Sequence, residues 1–230
     1  MCGVTSRRGA EVLIAQKRVT LNDIAVEKVG ILVDETSDIV KVDGTTVTPV
    51  TEKVYIVLNK PRYVMTTLHD PFKRRTVCYY LRNLKNRVYP IGRLDFDTEG
   101  ALLLCNDGDL TFRLSHPKYQ VEKIYEAIVD GRFSRKDSMV IRGGVRLEDG
   151  AMGRAQVDIL GYGRKVTHLK LTLTEGRKRE VKQLCKSVGH PVKKLRRVAF
   201  AGITVKDLPT GAWRHLDKVE ISRLKSLVGL

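Results

Sequence analysis

The spacing of apolar and polar positions divides the chain into two stretches of different character. In the first, Ala10, Leu13, Ile14 and Lys17 recur at helical spacing behind Ser6, a residue type that caps helices, so a helix is expected over 6–18. Val19-Thr20-Leu21-Asn22-Asp23 reads as a strand entering a turn, and Ile39-Val40-Lys41-Val42-Asp43-Gly44 as a second. This stretch ends near Pro49 and is too short for a large core of its own.

The second stretch opens on Val54-Tyr55-Ile56-Val57-Leu58, an unbroken apolar run of the kind found in strands buried on both faces. Asn59-Lys60-Pro61 is expected to end it, because proline interrupts a central strand. Residues 62–90 are basic and irregular. Ala101 to Cys105 reads as another buried strand, and Asn106-Asp107-Gly108 as a turn. From Val121 to Val129 the pattern alternates, with Lys123, Tyr125, Ala127 and Val129 on one face. Val166 to Thr174 alternates too, with Leu169, Leu171 and Leu173 on one face. A helix follows from about Arg177 to Gly189, its apolar stripe made by Val181, Leu184, Cys185 and Val188; Gly189 suits its C-terminus. Strands outnumber helices and mix with them irregularly, which predicts an α+β fold with a mostly antiparallel sheet. The expected division is a small module over 1–50 and a larger domain over 52–230.

Charge sharpens this division. The chain of 230 residues carries a formal charge of +16. Residues 1–50 hold six Lys/Arg and seven Asp/Glu, a net of −1, so the rest carries 42 − 6 = 36 basic and 26 − 7 = 19 acidic residues, a net of +17. Such an excess favours a polyanionic partner. Two runs concentrate it. Lys60 to Arg93 has nine basic residues and one acid, Asp70; Arg177 to Arg197 has nine and one acid, Glu180. None of the four cysteines, Cys2, Cys78, Cys105 and Cys185, forms a C-x-x-C pair, so buried free thiols in a reducing compartment are expected. No apolar stretch reaches membrane-spanning length and no signal-peptide core opens the chain, so a cytoplasmic protein is expected.

Candidate chemistry centres on Gly92-Arg93-Leu94-Asp95-Phe96-Asp97-Thr98-Glu99-Gly100, three carboxylates and an arginine between two expected strands. A calcium loop fits poorly, since Asn106 stands where the bidentate glutamate is needed. A glycoside hydrolase needs two carboxylates across a sugar bond, a separation that sequence does not fix. On the residues alone, the leading reading is a polar turn whose acids cap backbone amides. No G-x-x-x-x-G-K-[ST] loop occurs, and Gly161-Tyr162-Gly163 has Val166 where a dinucleotide fingerprint needs its third glycine.

Residues 92–108, GRLDFDTEGALLLCNDG, resemble the central motif of the RsuA/RluB-type pseudouridine synthases. Asn59-Lys60-Pro61, His116-Pro117 through Lys123-Ile124-Tyr125, and residues 175–189 (EGRKREVKQLCKSVG) resemble further motifs of that family in order, and Arg196, Gly202, Leu208, Gly211 and Leu216 continue the pattern. Arg179-Glu180-Val181 is nearer the large-subunit branch. Residues 2–44 resemble, in truncated form, the small RNA-binding domain named for ribosomal protein S-four, on Gly3-x-x-Ser6-Arg7-Arg8, Arg18-Val19-Thr20-Leu21-Asn22 and Val42-Asp43-Gly44.

The resemblance implies isomerisation of a uridine in structured ribosomal RNA of the large subunit, by a monomer needing no cofactor and no nucleotide. Asp95 would be the essential carboxylate, kept ionised by Lys182 or, alternatively, Arg179. The target base would flip out of its stack. Arg93 would fill the vacated space or hold a phosphate, Tyr125 would stack on the uracil, and Leu171 or Leu173 would line the other side. Arg7, Arg8, Lys60, Lys73, Arg74, Arg75, Lys123, Arg177, Lys178 and Lys186 would contact RNA, with Lys17 and Arg18 adding to them. A non-catalytic RNA-binding or ribosome-assembly protein of the same fold is the rival reading.

Overall fold

The computed structural model describes residues 3–49 and 51–230, so the free thiol expected at Cys2 and the outermost positions of the 1–50 module lie outside the described residues. The chain forms two compact units, Met1–Lys53 and Val54–Leu230.

In the first unit, α1 (Arg7–Ala15) starts where the Ser6 hydroxyl accepts a hydrogen bond from the Gly9 amide at 3.0 Å. Strands β1 (Val19–Leu21), β2 (Ile24–Ala25), β3 (Val40–Val42) and β4 (Thr45–Thr46) make an antiparallel sheet in the order β2-β1-β3-β4. Both of its hairpins turn on left-handed residues, Asn22-Asp23 and Asp43-Gly44, the residue types that tolerate this backbone. No residue of α1 is buried and β1 and β3 are half-buried, the thin core its length dictates.

The second unit contains strands β5 (Tyr55–Lys60), β6 (Tyr89–Pro90), β7 (Glu99–Cys105), β8 (Lys123–Asp130), β9 (Val145–Arg146), β10 (Met152–Gly153), β11 (Gln156–Tyr162), β12 (Val166–Leu173), β13 (Val192–Phe200), β14 (Ile203–Thr204) and β15 (Trp213–His215). Its helices are α2 (Gly108–Ser115), α3 (Arg135–Gly143), α4 (Glu180–Ser187) and α5 (Lys218–Leu227). The main sheet runs β11-β12-β8-β13-β7-β5-β15, with β14 beside β13 and β6 beside β7. Among the described residues only the β13–β7 pair of this sheet is parallel, so the expected α+β, mostly antiparallel architecture is borne out. Among the described residues no helix is long and apolar enough to cross a membrane.

The apolar runs become strands because both faces are covered. Tyr55 and Val57 of β5 join Ala101, Leu103 and Cys105 of β7 in a core with α2 and α5. Ile56, Leu58, Leu102 and Leu104 face a second core with Val64, Val77 and Leu94.

Several boundaries differ from expectation. Strand β5 runs through Asn59 and Lys60, and only Pro61 ends it. Asn106-Asp107-Gly108 is a helix start, with the Asp107 carboxylate accepting from the Leu110 amide. Helix α4 begins at Glu180 rather than Arg177, because Arg179 is left-handed at φ 53°. The basic run 192–200 is a strand at the centre of the sheet, with Leu195, Arg197 and Ala199 alternating inward.

Candidate active site

The loop from Gly92 to Thr98 is held by its backbone. Lys60, with no exposed surface, sends its ammonium to the carbonyls of Pro61, Asp95 and Thr98 at 3.0, 3.2 and 2.8 Å. The Thr66 hydroxyl donates to the Leu94 carbonyl at 2.7 Å. Arg62 Nε reaches the Asp97 carbonyl at 3.1 Å, and the Tyr63 amide reaches the Phe96 carbonyl at 2.5 Å. With five of its carbonyls, Leu94 to Thr98, engaged by residues 60–66, the loop is left to present its side chains.

The floor beneath is a row across five strands. Leu171 pairs with Tyr125, Tyr125 with Arg197, Arg197 with Gly100, and Gly100 with Lys60. Directly paired residues share a sheet face. Gly100 has φ 109°, and a Cβ on it would lie 2.1 Å from the Arg197 carbonyl oxygen, so only glycine lets these strands meet. Arg197 is 2% exposed; its Nε donates to the Ala101 carbonyl at 2.7 Å, its guanidinium lies 4.8 Å from the Phe200 ring centre, and its Nη2 has no partner.

Helix α4 brings Lys182 to the loop. Its ammonium stands 2.5 Å from Asp97 Oδ1 and 3.6 Å from Asp95 Oδ2. Partial burial opposes the charge on Asp97, but the Lys182 hydrogen bond and charge, helped by Arg179, hold its carboxyl below the usual range. The cation is thus shared between two carboxylates, with the closer contact to Asp97. Arg179, the N-cap residue of α4, lines the cavity beside Asp95. That cavity, about 110 Å³, is also lined by Arg93, Lys123, Tyr125, Leu173 and Arg197.

The structure therefore gathers Arg93, Asp95, Tyr125, Arg179 and Lys182 around one opening. It corrects several other expectations. Leu171 is fully buried among Ala127, Val129, Leu169 and Leu184, while Leu173 is the leucine that lines the cavity. Lys60 and Lys123 were expected to meet RNA at the surface and are instead buried. Lys123 Nζ donates to the Val121 and Thr174 carbonyls. Burial lowers both ammonium groups to about 8. Arg74 is committed to Asp70, at 2.6 Å, and Arg18 to Asp43, at 2.6 Å. Lys17 pairs with Glu27, and Arg177 with Glu175 at 2.9 Å. Arg7, Arg8, Lys73, Arg75, Lys178 and Lys186 are exposed. Glu180, the one acid of the 177–197 run, is 4% exposed, and burial raises its carboxyl above the ordinary value.

Sequence reasoning missed Arg197 and the anchoring role of Lys60. The signal for Arg197 was the alternation Leu195-x-Arg197-x-Ala199, masked by the neighbouring cations Lys193, Lys194 and Arg196.

This fold and site are those of an RNA-modifying isomerase: residues 54–187 match the family model for RNA pseudouridylate synthases, and the chain belongs to that family. Its curated relatives are of the RsuA/RluB type. It is 42% identical over 229 residues to an uncharacterized RNA pseudouridine synthase of Aquifex aeolicus, covering 99% of this chain and 92% of the relative. It is 39% identical to the ribosomal large subunit pseudouridine synthase B of Bacillus subtilis, over 98% of this chain and 92% of the relative. A crystal structure of a pseudouridylate synthase superposes with a TM-score of 0.71 at 26% identity, covering 95% of this chain and 94% of that one. The human RNA pseudouridylate synthase domain containing 1 shares the fold at 18% identity and a TM-score of 0.51, over 77% of this chain and 92% of that one.

Proposed function

We propose that this chain converts a uridine of large-subunit ribosomal RNA to pseudouridine in the cytoplasm, acting as a monomer with Asp95 as the essential carboxylate. The observation that carries the reading is Asp95 in a cavity with Tyr125 and Lys182 Nζ at 3.6 Å. The large-subunit target is supported by the relatives from Bacillus subtilis and Vibrio cholerae, both ribosomal large subunit pseudouridine synthases B.

The reaction breaks the glycosidic bond, turns the uracil and joins its carbon-5 to the ribose, so no atom enters or leaves. A stacked base is out of reach and must flip, at a cost of a few kcal/mol. Tyr125 stacks on the flipped uracil and Arg93 fills the gap or holds a phosphate. Lys182 stands 3.6 Å from the Asp95 carboxylate, which attacks the sugar or removes a sugar proton. The exposed cations Lys73, Arg75, Lys178 and Lys186 meet phosphates, as do Arg7 and Arg8 of a ribosomal-protein-S-four-like RNA-binding module over 1–50; residues 52–230 form the catalytic domain.

The test is adduct-blocked primer extension on full-length ribosomal RNAs, with wild type beside Asp95→Asn. A stop in large-subunit RNA seen only with wild type is the expected result. A stop with both proteins sinks the Asp95 assignment. A stop confined to small-subunit RNA sinks the target, and no stop on either RNA points to a different substrate.

A further inference from the structure

The catalytic loop carries an aromatic side chain that the reaction does not use. Phe96 stands between Asp95 and Asp97, and its side chain is 43% exposed. Against it lies Tyr63, 58% exposed, with ring centres 5.6 Å apart and planes at 60°. The Arg62 guanidinium sits 5.0 Å from the Tyr63 ring centre.

The pair is built rather than incidental. Tyr63 has φ 61°, a left-handed backbone that strains a bulky non-glycine residue. Two bonds hold it there, from the Tyr63 amide to the Phe96 carbonyl and from Arg62 Nε to the Asp97 carbonyl. They tie the two rings to the same backbone that presents Asp95. Neither ring belongs to the hydrophobic cores, which lie beneath the loop. Strain maintained in order to expose an aromatic pair at the edge of a reactive site marks a binding element.

Charge identifies the occupant. Arg62 lies on Tyr63, exposed Arg93 is three residues before Phe96, and Lys182 engages both neighbouring carboxylates. An exposed aromatic pair with a guanidinium on one ring and an exposed arginine in the same loop suits a nucleobase on its phosphate backbone. We propose that Tyr63 and Phe96 form a stacking platform for a nucleotide next to the target uridine, which holds the RNA open while the uridine occupies the cavity. This rests on the base-flipping reading above. A base stacked on the platform recovers part of what flipping loses, and it does so at the residue beside the reacting carboxylate.

The test pairs protein and RNA changes. The probe is the ribosomal RNA fragment around the uridine mapped by primer extension, prepared intact and with an abasic nucleotide on its 5′ or its 3′ side. Binding and single-turnover rates are measured for wild type, Phe96→Ala and Tyr63→Ala, with thermal melting to establish that the exposed-residue variants stay folded. On intact RNA, Phe96→Ala is expected to weaken binding about 5- to 100-fold. On one of the two abasic RNAs wild type should show a similar loss, and Phe96→Ala should add little to it, because the partner is already gone. Losses that simply multiply on both abasic RNAs overturn the platform, as does wild-type affinity in both variants. Wild-type turnover on intact RNA separates the two failures. Where turnover is present and the coupling absent, only the platform falls; where wild type modifies no RNA, the synthase reading falls and takes the platform with it.

Discussion

The cations of this protein divide into two populations that look alike in sequence and behave oppositely. Lys60, Lys123 and Arg197 lie 0%, 9% and 2% exposed beneath the 92–98 loop. Lys73, Arg75, Lys178 and Lys186 stand in solvent. The buried set spends its donors on backbone carbonyls, three of them on Lys60 alone. On the function proposed above, the exposed set meets phosphate. The first fixes geometry and should be insensitive to salt, whereas phosphate contacts from the second would supply affinity that salt screens. Counting basic residues cannot separate them, although exchanging one for the other would have opposite consequences.

The largest effect should come from Lys60→Met. It leaves three carbonyls without their donor, and buried acceptors of this kind cost about 1–3 kcal/mol each. A net destabilisation of about 3 kcal/mol is expected, part being returned by relief of the buried charge. The loosened loop should lose about 100-fold in turnover, the scale of a misplacement near 1 Å. Chemical denaturation and single-turnover rates measure the two together; a variant with normal turnover would mean the loop does not depend on its anchor.

Next comes the shared cation. Lys182→Met leaves Asp95 and Asp97 without their common partner and should slow turnover about 10- to 100-fold with RNA affinity little changed. Asp97→Asn removes the competitor at 2.5 Å and leaves Lys182 to Asp95, so it should slow turnover tenfold at most. If Asp97→Asn instead abolishes turnover while Asp95→Asn does not, the roles of the two carboxylates are exchanged.

At the rim the effect should be smaller and of another kind. Lys73→Ala with Arg75→Ala removes two phosphate contacts and should lower the slope of log affinity against log salt by about 1.4–1.8, at 0.7–0.9 per contact. Saturated turnover should not move. Arg74→Ala should add less than either, because its guanidinium is held by Asp70 at 2.6 Å. A slope unchanged by the double variant would place the RNA elsewhere.

The same contrast explains what could be read from sequence. The α+β class, the two-unit division of composition and the cluster around Asp95 were legible, because apolar runs and the 92–108 motif are local signals. Lys60 was misread because a lysine before a proline looks like a strand end, while β5 in fact continues to pair with Gly100. Lys123 lies on an alternating strand facing inward, where charge count masked the period. Leu171 and Leu173 share a face at the same period and lie in one hydrophobic cluster, so the period alone offered either to the cavity; only Leu173 also borders it. Burial of a cation depends on carbonyls supplied by distant elements, such as Thr98 for Lys60 and Thr174 for Lys123, and no local pattern encodes these.

The smallest effect separates the two populations by pH. Lys60 and Lys123 have ammonium groups lowered by burial from an ordinary 10.5 to about 8. Below pH 8 they are charged whether the chain is folded or not, and folding carries the burden of burying them. Above it the folded chain releases these protons while the unfolded chain keeps them, so the unfolded state binds more protons and stability rises with pH. Each lysine contributes at most about 1.4 kcal/mol per pH unit in this window. Cys185 acts in the opposite sense, since burial raises its thiol from 9.0 to about 12, so measurements belong between pH 7.5 and 9. Urea midpoints followed by Trp213 fluorescence should rise over that range in wild type and rise about half as much in Lys60→Met. Lys73→Ala, which removes only an exposed cation, should leave the wild-type gain intact. A flat wild-type profile would mean that the two buried lysines stay charged through pH 9, held by their carboxylate neighbours Asp95 and Glu180 more strongly than burial opposes them.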